Sequence, residues 1–413
     1  MKYKPLRGFK YPTTMESKIW NFIRNIYYLL AQKYNINFLN PPLLAKTNIF
    51  QSLGLASDVV RKELYSFSQK DGEEVCLIPE YTRIFVEQMA HDKTFTGSYG
   101  CFGACFRYER PQLGRYRSFT QMSIETIGSK SYMKDIELFC FLRDFLDCIH
   151  LKDYKIFINS IGSIEDRRRY EGVLEVYFQE HLHKMSDNAK VKFERRAFLR
   201  MLDSKEEEDL MYITQAPKIT SFLCEESRIN YEKIKSTLQQ LHIPFEENPL
   251  LVRGLDYYND LVFEYTHHEL GSQSSILGGG RYDGLFKEVT GKEVPAVGFA
   301  IGIERVIYIL EKDLQFMKVL NTIVKIAIIP VEEGEYLYAL EIFQILKDLD
   351  ISITILYEKN VSNRLKQCHK DAYAYVIIVG ETEKKTRQLI VKNMLAHKED
   401  VIDLVHISKI FHS

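Results

Sequence analysis

Between Ser17 and Lys33 the apolar residues Ile19, Phe22, Ile23, Ile26, Tyr27 and Leu30 recur at helical spacing, which predicts an amphipathic helix with one buried face. Pro41 and Pro42 then forbid helix and favour an extended segment. The short apolar runs LYSF and VCLI, separated by KDGEE, predict a hairpin closed on Asp71 and Gly72. From Gly103 to Gly128 a further extended stretch is interrupted by RPQLGRY, a polar, cationic segment bounded by Pro111 and Gly114, expected as a mobile loop between two antiparallel strands. After Gly162 the pattern turns highly charged and mostly helical as far as about Leu241. Strand-like, glycine-rich sequence returns in LVRGLDYYNDLVFEY and SILGGGRYDGLF, and GFAIGIERVIYIL reads as a short strand entering a helix. From Val324 onward KIAIIPV, YLYALEIFQILKDL, ISITILY, VSNRLKQCHKD and YAYVIIVG alternate strand and helix, the signature of a βαβ domain with a mainly parallel sheet.

At 413 residues the chain exceeds what one hydrophobic core usually spans, so two or three domains are expected. With 46% hydrophobic and 27% charged residues the composition is that of a globular protein, not a disordered one. A formal net charge of -1 supplies no overall attraction to nucleic acid, so RNA contact would have to come from local basic patches. The seven scattered cysteines, of which only Cys101 and Cys105 lie close together, match no common zinc spacing and read as free thiols of a reducing compartment. The early apolar stretch is broken by Arg24 and Asn25 and is too short for a membrane span, nothing before it resembles a cleavable signal peptide, and a cytoplasmic location is expected.

Three segments carry candidate chemistry. In FRYERPQLGRYRSFTQMSIE, strand residues two apart share a face, so Arg107 and Glu109 would point one way, while Gln121, Ser123 and Glu125 line one face of the return strand. Such a surface could hold a cationic group against the carboxylates and a polyphosphate against the arginines; a solvated hairpin with cross-strand ion pairs is the plainer alternative. In RGLDYY (253–258) and GGGRYDGL (278–285), successive glycines mark places where a backbone comes close to something or takes a positive φ, although a plain turn would also use them. In PAVGFAIGIERV (295–306), Gly298 and Gly302 permit close approach and Arg305 emerges one turn into the helix, free to reach a phosphate or to pair with Glu304. A phosphate loop of the G-x-x-x-x-G-K-[ST] kind is absent.

Taken in order, these segments resemble the second motif, the histidine-specific motifs and the third motif of class II histidyl-tRNA synthetases, and the likeness extends to PLRGFKYP, SDVVRKELYSF, MLDSK, QAP and the C-terminal βαβ region. The resemblance implies an α+β fold: a class II antiparallel sheet with flanking helices (1–160 and 242–322), an inserted mainly helical domain (161–241), and a C-terminal α/β anticodon-binding domain (323–413). It implies ATP-dependent ligation of L-histidine to histidine tRNA through histidyl-adenylate, with Mg2+ accompanying ATP, no protein-built metal site, and a homodimer. Arg253 and Arg107 would be catalytic, and Arg107, Glu109, Arg115 and Arg305 would bind ATP. Glu125 and Tyr258 would recognise the imidazole and Glu80, Thr82 and Gln121 the α-ammonium. Tyr81, Tyr257, Tyr282, Arg107 and Arg253 would complete the histidine site. Arg110 and Gln112 would meet the acceptor end of tRNA, and Lys384, Lys385, Arg387 and Lys392 could touch phosphates near the anticodon.

The family's usual LRPEGT appears here as LIPEYT, with Ile78 in place of arginine and Tyr81 in place of glycine, and the histidine common before Gln121 is Thr120. Two other readings compete. One is a non-catalytic, synthetase-like regulatory subunit of histidine biosynthesis, a type that generally lacks the C-terminal domain and the ATP-gripping arginines. The other is an RNA-binding module that uses the catalytic fold only as a scaffold.

Overall fold

The structure, a computed structural model, describes residues 4–51, 63–255, 257–320, 324–357 and 360–411. Residues 57–62 of SDVVRKELYSF, Asp256 of RGLDYY and the expected boundary near 323 lie outside them. The chain forms two compact units, Met1–Asp313 and Leu314–Ser413.

In the first unit the strands are β1 (Asn37–Phe38), β2 (Leu44–Lys46), β3 (Tyr65–Ser68), β4 (Glu74–Leu77), β5 (Gly97–Phe106), β6 (Ser118–Ile127), β7 (Tyr154–Ser160), β8 (Glu246–Glu247), β9 (Asn259–His267), β10 (Ser275–Arg281) and β11 (Ala296–Gly302). Eight of them form one sheet in the order β1-β5-β6-β11-β10-β9-β7-β8. The six central strands are antiparallel, and only the two-residue edge strands pair parallel. The predicted hairpin is β3–β4, turned at Gly72 (φ 88°) and extended by β2.

Strand register divides the sheet into two unlike faces, because paired residues point the same way and neighbours along a strand point opposite ways. One face carries Met122, Ile124, Phe299, Ile301, Leu277, Phe263 and Tyr265. Helices Thr14–Lys33 and Met133–Cys148 cover it; Phe139 packs on Phe263 with ring centroids 4.8 Å apart, and Tyr27 donates to the Ser123 carbonyl at 2.8 Å. The first helix starts at Thr14, slightly ahead of the expected Ser17, because Thr13 and Glu16 close a capping box. The opposite face carries Gln121, Ser123, Glu125, Gly298, Ala300, Gly302, Gly278, Gly280 and Glu264, small residues interspersed with polar ones. A face so short of bulk cannot bury itself against a helix; it leaves a cavity.

Helices Ile164–His181, Asp187–Glu194, Phe198–Met201, Glu207–Gln215 and Glu225–Gln240 follow β7, as the charged helical pattern predicts. Several of them share a core of Tyr170, Leu174, Phe178, Met201 and Ile213. The expectation of a strand at LVRGLDYY fails: β9 begins only at Asn259, and residues 251–255 form no regular element. Arg107 and Glu109 likewise lie just beyond the end of β5 at Phe106, not within the strand.

The second unit holds β12 (Val324–Pro330), β13 (Ile351–Ile355), β14 (Tyr375–Val379), β15 (Gln388–Asn393) and β16 (Lys398–Asp403), ordered β13-β12-β14-β15-β16. The first three strands are parallel, as expected; β15 and β16 add an antiparallel pair. Ile326 and Ile328 pack with helix Tyr336–Leu346, while Ala327 and Ile329 pack with Cys368 of helix Val361–Lys370, so alternate residues of one strand serve two layers.

Phe263 is fully buried between sheet and helix. Phe263→Ala is expected to lower the unfolding free energy by about 3–5 kcal/mol, read as a fall in the urea midpoint; an unchanged midpoint contradicts this packing.

Candidate active site

The small-residue face of the sheet floors a cavity of about 690 Å3. Just behind one end, beyond the lining residue Thr82, lies a buried carboxylate. Glu125 on β6 is opposite Gly298 on β11, where a Cβ would stand 1.7 Å from Glu125 Oε2. Only glycine leaves room for that carboxylate to lie over the neighbouring strand. Thr82 Oγ1 donates to Glu125 Oε1 at 2.7 Å, and the Tyr282 hydroxyl donates to Oε2 at 2.5 Å. Tyr282, expected as a wall, therefore holds the carboxylate directly. Tyr257 packs between Tyr258, tilted at 4.6 Å between centroids, and Tyr282, edge-on at 5.6 Å, so three aromatic rings close this end.

Thr82 opens helix Thr82–His91, and Glu80 fixes its start by accepting from the backbone N–H of Thr82 at 2.8 Å and of Arg83 at 2.9 Å. Glu80 and Gln121 both line the cavity, and both are almost fully buried. Tyr81 does not belong to this set. It points into the core beside Phe85 and Cys105, with its hydroxyl donating to the Ala104 carbonyl at 3.0 Å. Gly103 admits it, since a Cβ there would lie 2.3 Å from the hydroxyl. The expectation that Tyr81 binds ligand is therefore corrected: with Ile78 fully buried, the LIPEYT departures are a packing change in the core.

At the other end arginines gather. Arg107 donates from Nε to the Pro79 carbonyl at 2.9 Å and lies over the Phe119 ring. Arg305, in the first turn of helix Ile303–Leu310, donates to the Ser275 carbonyl. Arg115 pairs with Glu109 at 3.5 Å, and its loop turns at Gly114 (φ 66°), where a Cβ would press on Arg305 Cγ at 2.8 Å. Burial first, and then the nearby Arg115 and Arg107, lower the Arg305 guanidinium to about 10 against the opposing pull of Glu109 and Glu264. A cluster that disfavours its own positive charge is a site made for an anion. Arg110 and Gln112 are exposed on the same loop, outside the cavity lining.

Arg253 bridges the two ends. Its guanidinium crosses β10 over Gly278, where a Cβ would clash at 2.0 Å, and Nη1 donates to Glu264 at 2.9 Å. Its buried Nε has no hydrogen-bond partner among the described residues. The triple glycine is thus explained in part by an arginine that must lie flat on the strand.

Among the cavity carboxylates that the sequence reading did not assign to the site are Glu264 and Glu304. Glu264 was detectable as an acid set within the apolar run LVFEY, on the same face as the glycines. Glu304 was considered only as a partner for Arg305; instead its Oε1 accepts from the Thr120 N–H at 2.7 Å, and its buried Oε2 lacks a partner among the described residues. Burial raises the Glu304 carboxyl to about 7, against the pull of the Thr120 N–H. In the C-terminal unit Lys384 donates to the Gly334 carbonyl, while Lys385, Arg387 and Lys392 face Glu381, Glu341 and Glu399.

A family model described as histidyl-tRNA synthetase matches residues 30–306, and one described as an anticodon binding domain matches 325–412. A histidine–tRNA ligase of Fervidobacterium nodosum is 40% identical over 402 residues, covering 95% of this chain and 94% of the relative. One from Thermosipho melanesiensis is 38% identical, with 95% and 94% covered. The crystal structure of apo S. aureus histidyl-tRNA synthetase superposes with a TM-score of 0.78 at 27% identity, covering 100% of both chains. A Bacillus halodurans structure described as an ATP phosphoribosyltransferase regulatory subunit/histidyl-tRNA synthetase shares the fold, with a TM-score of 0.65 at 17% identity over 92% of this chain and 99% of that one.

Burial raises the Glu125 carboxyl to about 8, against the hydroxyls of Tyr282 and Thr82. Because the unfolded chain ionises first, this carboxyl weakens the fold progressively as pH climbs from about 4.5 to about 8. Glu125→Gln is therefore expected to raise Tm relative to wild type more at pH 8 than at pH 4.5. An equal or reversed difference in calorimetry at the two pH values contradicts the burial account.

Proposed function

The chain belongs to the histidyl-tRNA synthetase family, and we propose that it activates L-histidine with ATP as histidyl-adenylate and then esterifies the histidine onto histidine tRNA. The observation that carries this reading is the single sheet face on which Glu125, Arg253 and Glu264 lie, beside the Arg107–Arg115–Arg305 cluster.

A neutral imidazole offers one N–H donor and one acceptor nitrogen. Glu125 supplies the acceptor for the first and Tyr258 the hydroxyl for the second, while Glu80, Thr82 and Gln121 receive the α-ammonium. A site whose buried polar groups are left unpaired by the wrong substrate rejects it by roughly 10⁴-fold. The arginine cluster takes the triphosphate. The histidine carboxylate oxygen attacks the α-phosphorus in line, an O–P bond forms, and pyrophosphate leaves with the electrons of the broken bond. Arg253, whose Nε is unpartnered among the described residues, neutralises charge where the carboxylate meets the α-phosphoryl oxygens. Glu264 keeps Arg253 in place.

Mg2+ entering with the phosphates fits the cavity carboxylates Glu264 and Glu304, whose Oε2 is unpartnered among the described residues, and would neutralise phosphate charge. Among the described residues no group of three or more His, Cys, Asp or Glu side chains is placed to hold a metal ion. The exposed Arg110 and Gln112 are assigned to the tRNA acceptor end and the C-terminal unit to the anticodon. A cytoplasmic homodimer is part of the same proposal, with the first helix and the Pro41–Pro42 segment near the interface and the division at 161–241 marking the insertion. The regulatory-subunit alternative is disfavoured by the retained arginine cluster and by the C-terminal match over 325–412.

Purified protein is expected to exchange pyrophosphate into ATP with histidine and with no other amino acid; folded protein without exchange rejects the enzyme reading. Arg253→Ala and Gly278→Ala, which removes the guanidinium or its berth, are expected to slow exchange by about 100-fold or more while histidine binding by calorimetry stays near wild type. Equal loss of binding and exchange would make both positions merely structural.

A further inference from the structure

Arg253 acts from a segment that has no helix or sheet of its own to hold it. Residues 251–255 make no regular element, so the position of this backbone depends on contacts made to it from elsewhere. On the sheet side, Asn159 of β7 donates from Nδ2 to the Leu251 carbonyl at 3.0 Å. The contacts beyond Arg253 come from the helical segment that follows β7. Arg200 Nη2 donates to the Gly254 carbonyl at 2.8 Å, and Arg167 Nη1 reaches the Tyr258 carbonyl at 3.5 Å. Two arginines of this segment thus hold carbonyls on either side of the stretch between Arg253 and the pocket tyrosines.

The local sequence explains why Arg200 is placed for this. Its four-residue helix, Phe198–Met201, is sunk by Phe198, Leu199 and Met201 into the core of the helical segment. The following LDSK turn is tied down where Ser204 donates to Asp209 at 2.6 Å; Asp209 also accepts from the Ser186 backbone and hydroxyl at 2.8 Å each. Lys192 then donates to the Arg200 carbonyl at 3.0 Å. With its backbone fixed on both sides, Arg200 extends a planar donor toward the cavity rim, where a charged donor on a carbonyl makes a strong, directional bond. The MLDSK motif, which follows Arg200 directly, is in this view its mount.

We infer that Arg200 is a positioning residue for the adenylation step: through the Gly254 carbonyl it holds the backbone of Arg253, so that the helical segment following β7 governs the aim of the catalytic arginine. This rests on the proposed reaction. A guanidinium that must lie within a slot over Gly278 tolerates little backbone drift, and a displacement of about 1 Å at a reacting group can slow a reaction by about 100-fold.

The test is histidine-dependent pyrophosphate exchange by wild type, Arg200→Met, Arg200→Lys, Arg253→Ala and the double variant Arg200→Met/Arg253→Ala. Methionine keeps the apolar stem and removes the donors; lysine keeps one donor able to reach the carbonyl. The expected result is a kcat lowered at least tenfold in Arg200→Met with KM for histidine within about threefold, partial recovery in Arg200→Lys, and a double variant no slower than Arg253→Ala alone. An Arg200→Met kcat equal to wild type, a loss confined to KM, or a double variant slower by the product of the single effects overturns the positioning role. Arg200→Lys serves alone should Arg200→Met fail to fold, a kcat below wild type with unchanged KM supporting the inference and a wild-type kcat overturning it. Absence of exchange in wild type instead removes the proposed reaction, and this inference with it.

Discussion

A charged side chain can lie flat across a β-sheet only where the adjacent strand has no Cβ in its way. That constraint is met twice on one face: Gly298 yields to the Glu125 carboxylate and Gly278 to the Arg253 guanidinium. Each placement lays a charged group across the neighbouring strand, and each is met by specific partners, Thr82 and Tyr282 for the carboxylate and Glu264 for the guanidinium. The opposite face, filled by Phe263, Phe299, Ile124 and Leu277, supplies the burial that keeps the sheet rigid beneath them. Function and stability are thus divided between the two sides of the same strands.

Charge follows the same division. Glu125 sits among hydroxyls and rings, in surroundings that disfavour its ionised form until a donor arrives. At the far end Arg305 is buried among like charges, and Glu109 and Glu264 compensate only in part. In the proposed reaction an amino acid bearing donors and a nucleotide bearing phosphates would relieve opposite imbalances at opposite ends, with Arg253 between them. The groups are held in place before substrate binds, which is the condition under which electrostatic stabilisation contributes most to a reaction.

Much of this was legible in the chain. The apolar periodicity from Ile19 to Leu30, the Asp71–Gly72 turn and the strand–helix alternation after Val324 are local signals, and the elements formed where they pointed. The arginines and Glu125 were legible because their segments resemble a known family. What stayed hidden depends on contacts between residues distant in sequence. Nothing local shows that Tyr81 turns into the core toward Gly103, that Arg107 falls just past the end of its strand, or that Glu304 bonds to Thr120 and not to its neighbour. RGLDYY looked like a strand because its aromatic residues suit one; the reach of Arg253 over Gly278 and the hold of Arg200 on Gly254 draw it off the sheet.

The central claim is that one sheet face presents a carboxylate pocket and an arginine cluster to two substrates at once. A crystal structure with L-histidine and a non-hydrolysable ATP analogue tests it most directly. Imidazole density is expected against Glu125 and Tyr258, phosphates between Arg107, Arg115 and Arg305, and the α-phosphoryl group within hydrogen-bond distance of Arg253. Imidazole or phosphate density away from these groups, with Arg253 still turned only to Glu264, contradicts it.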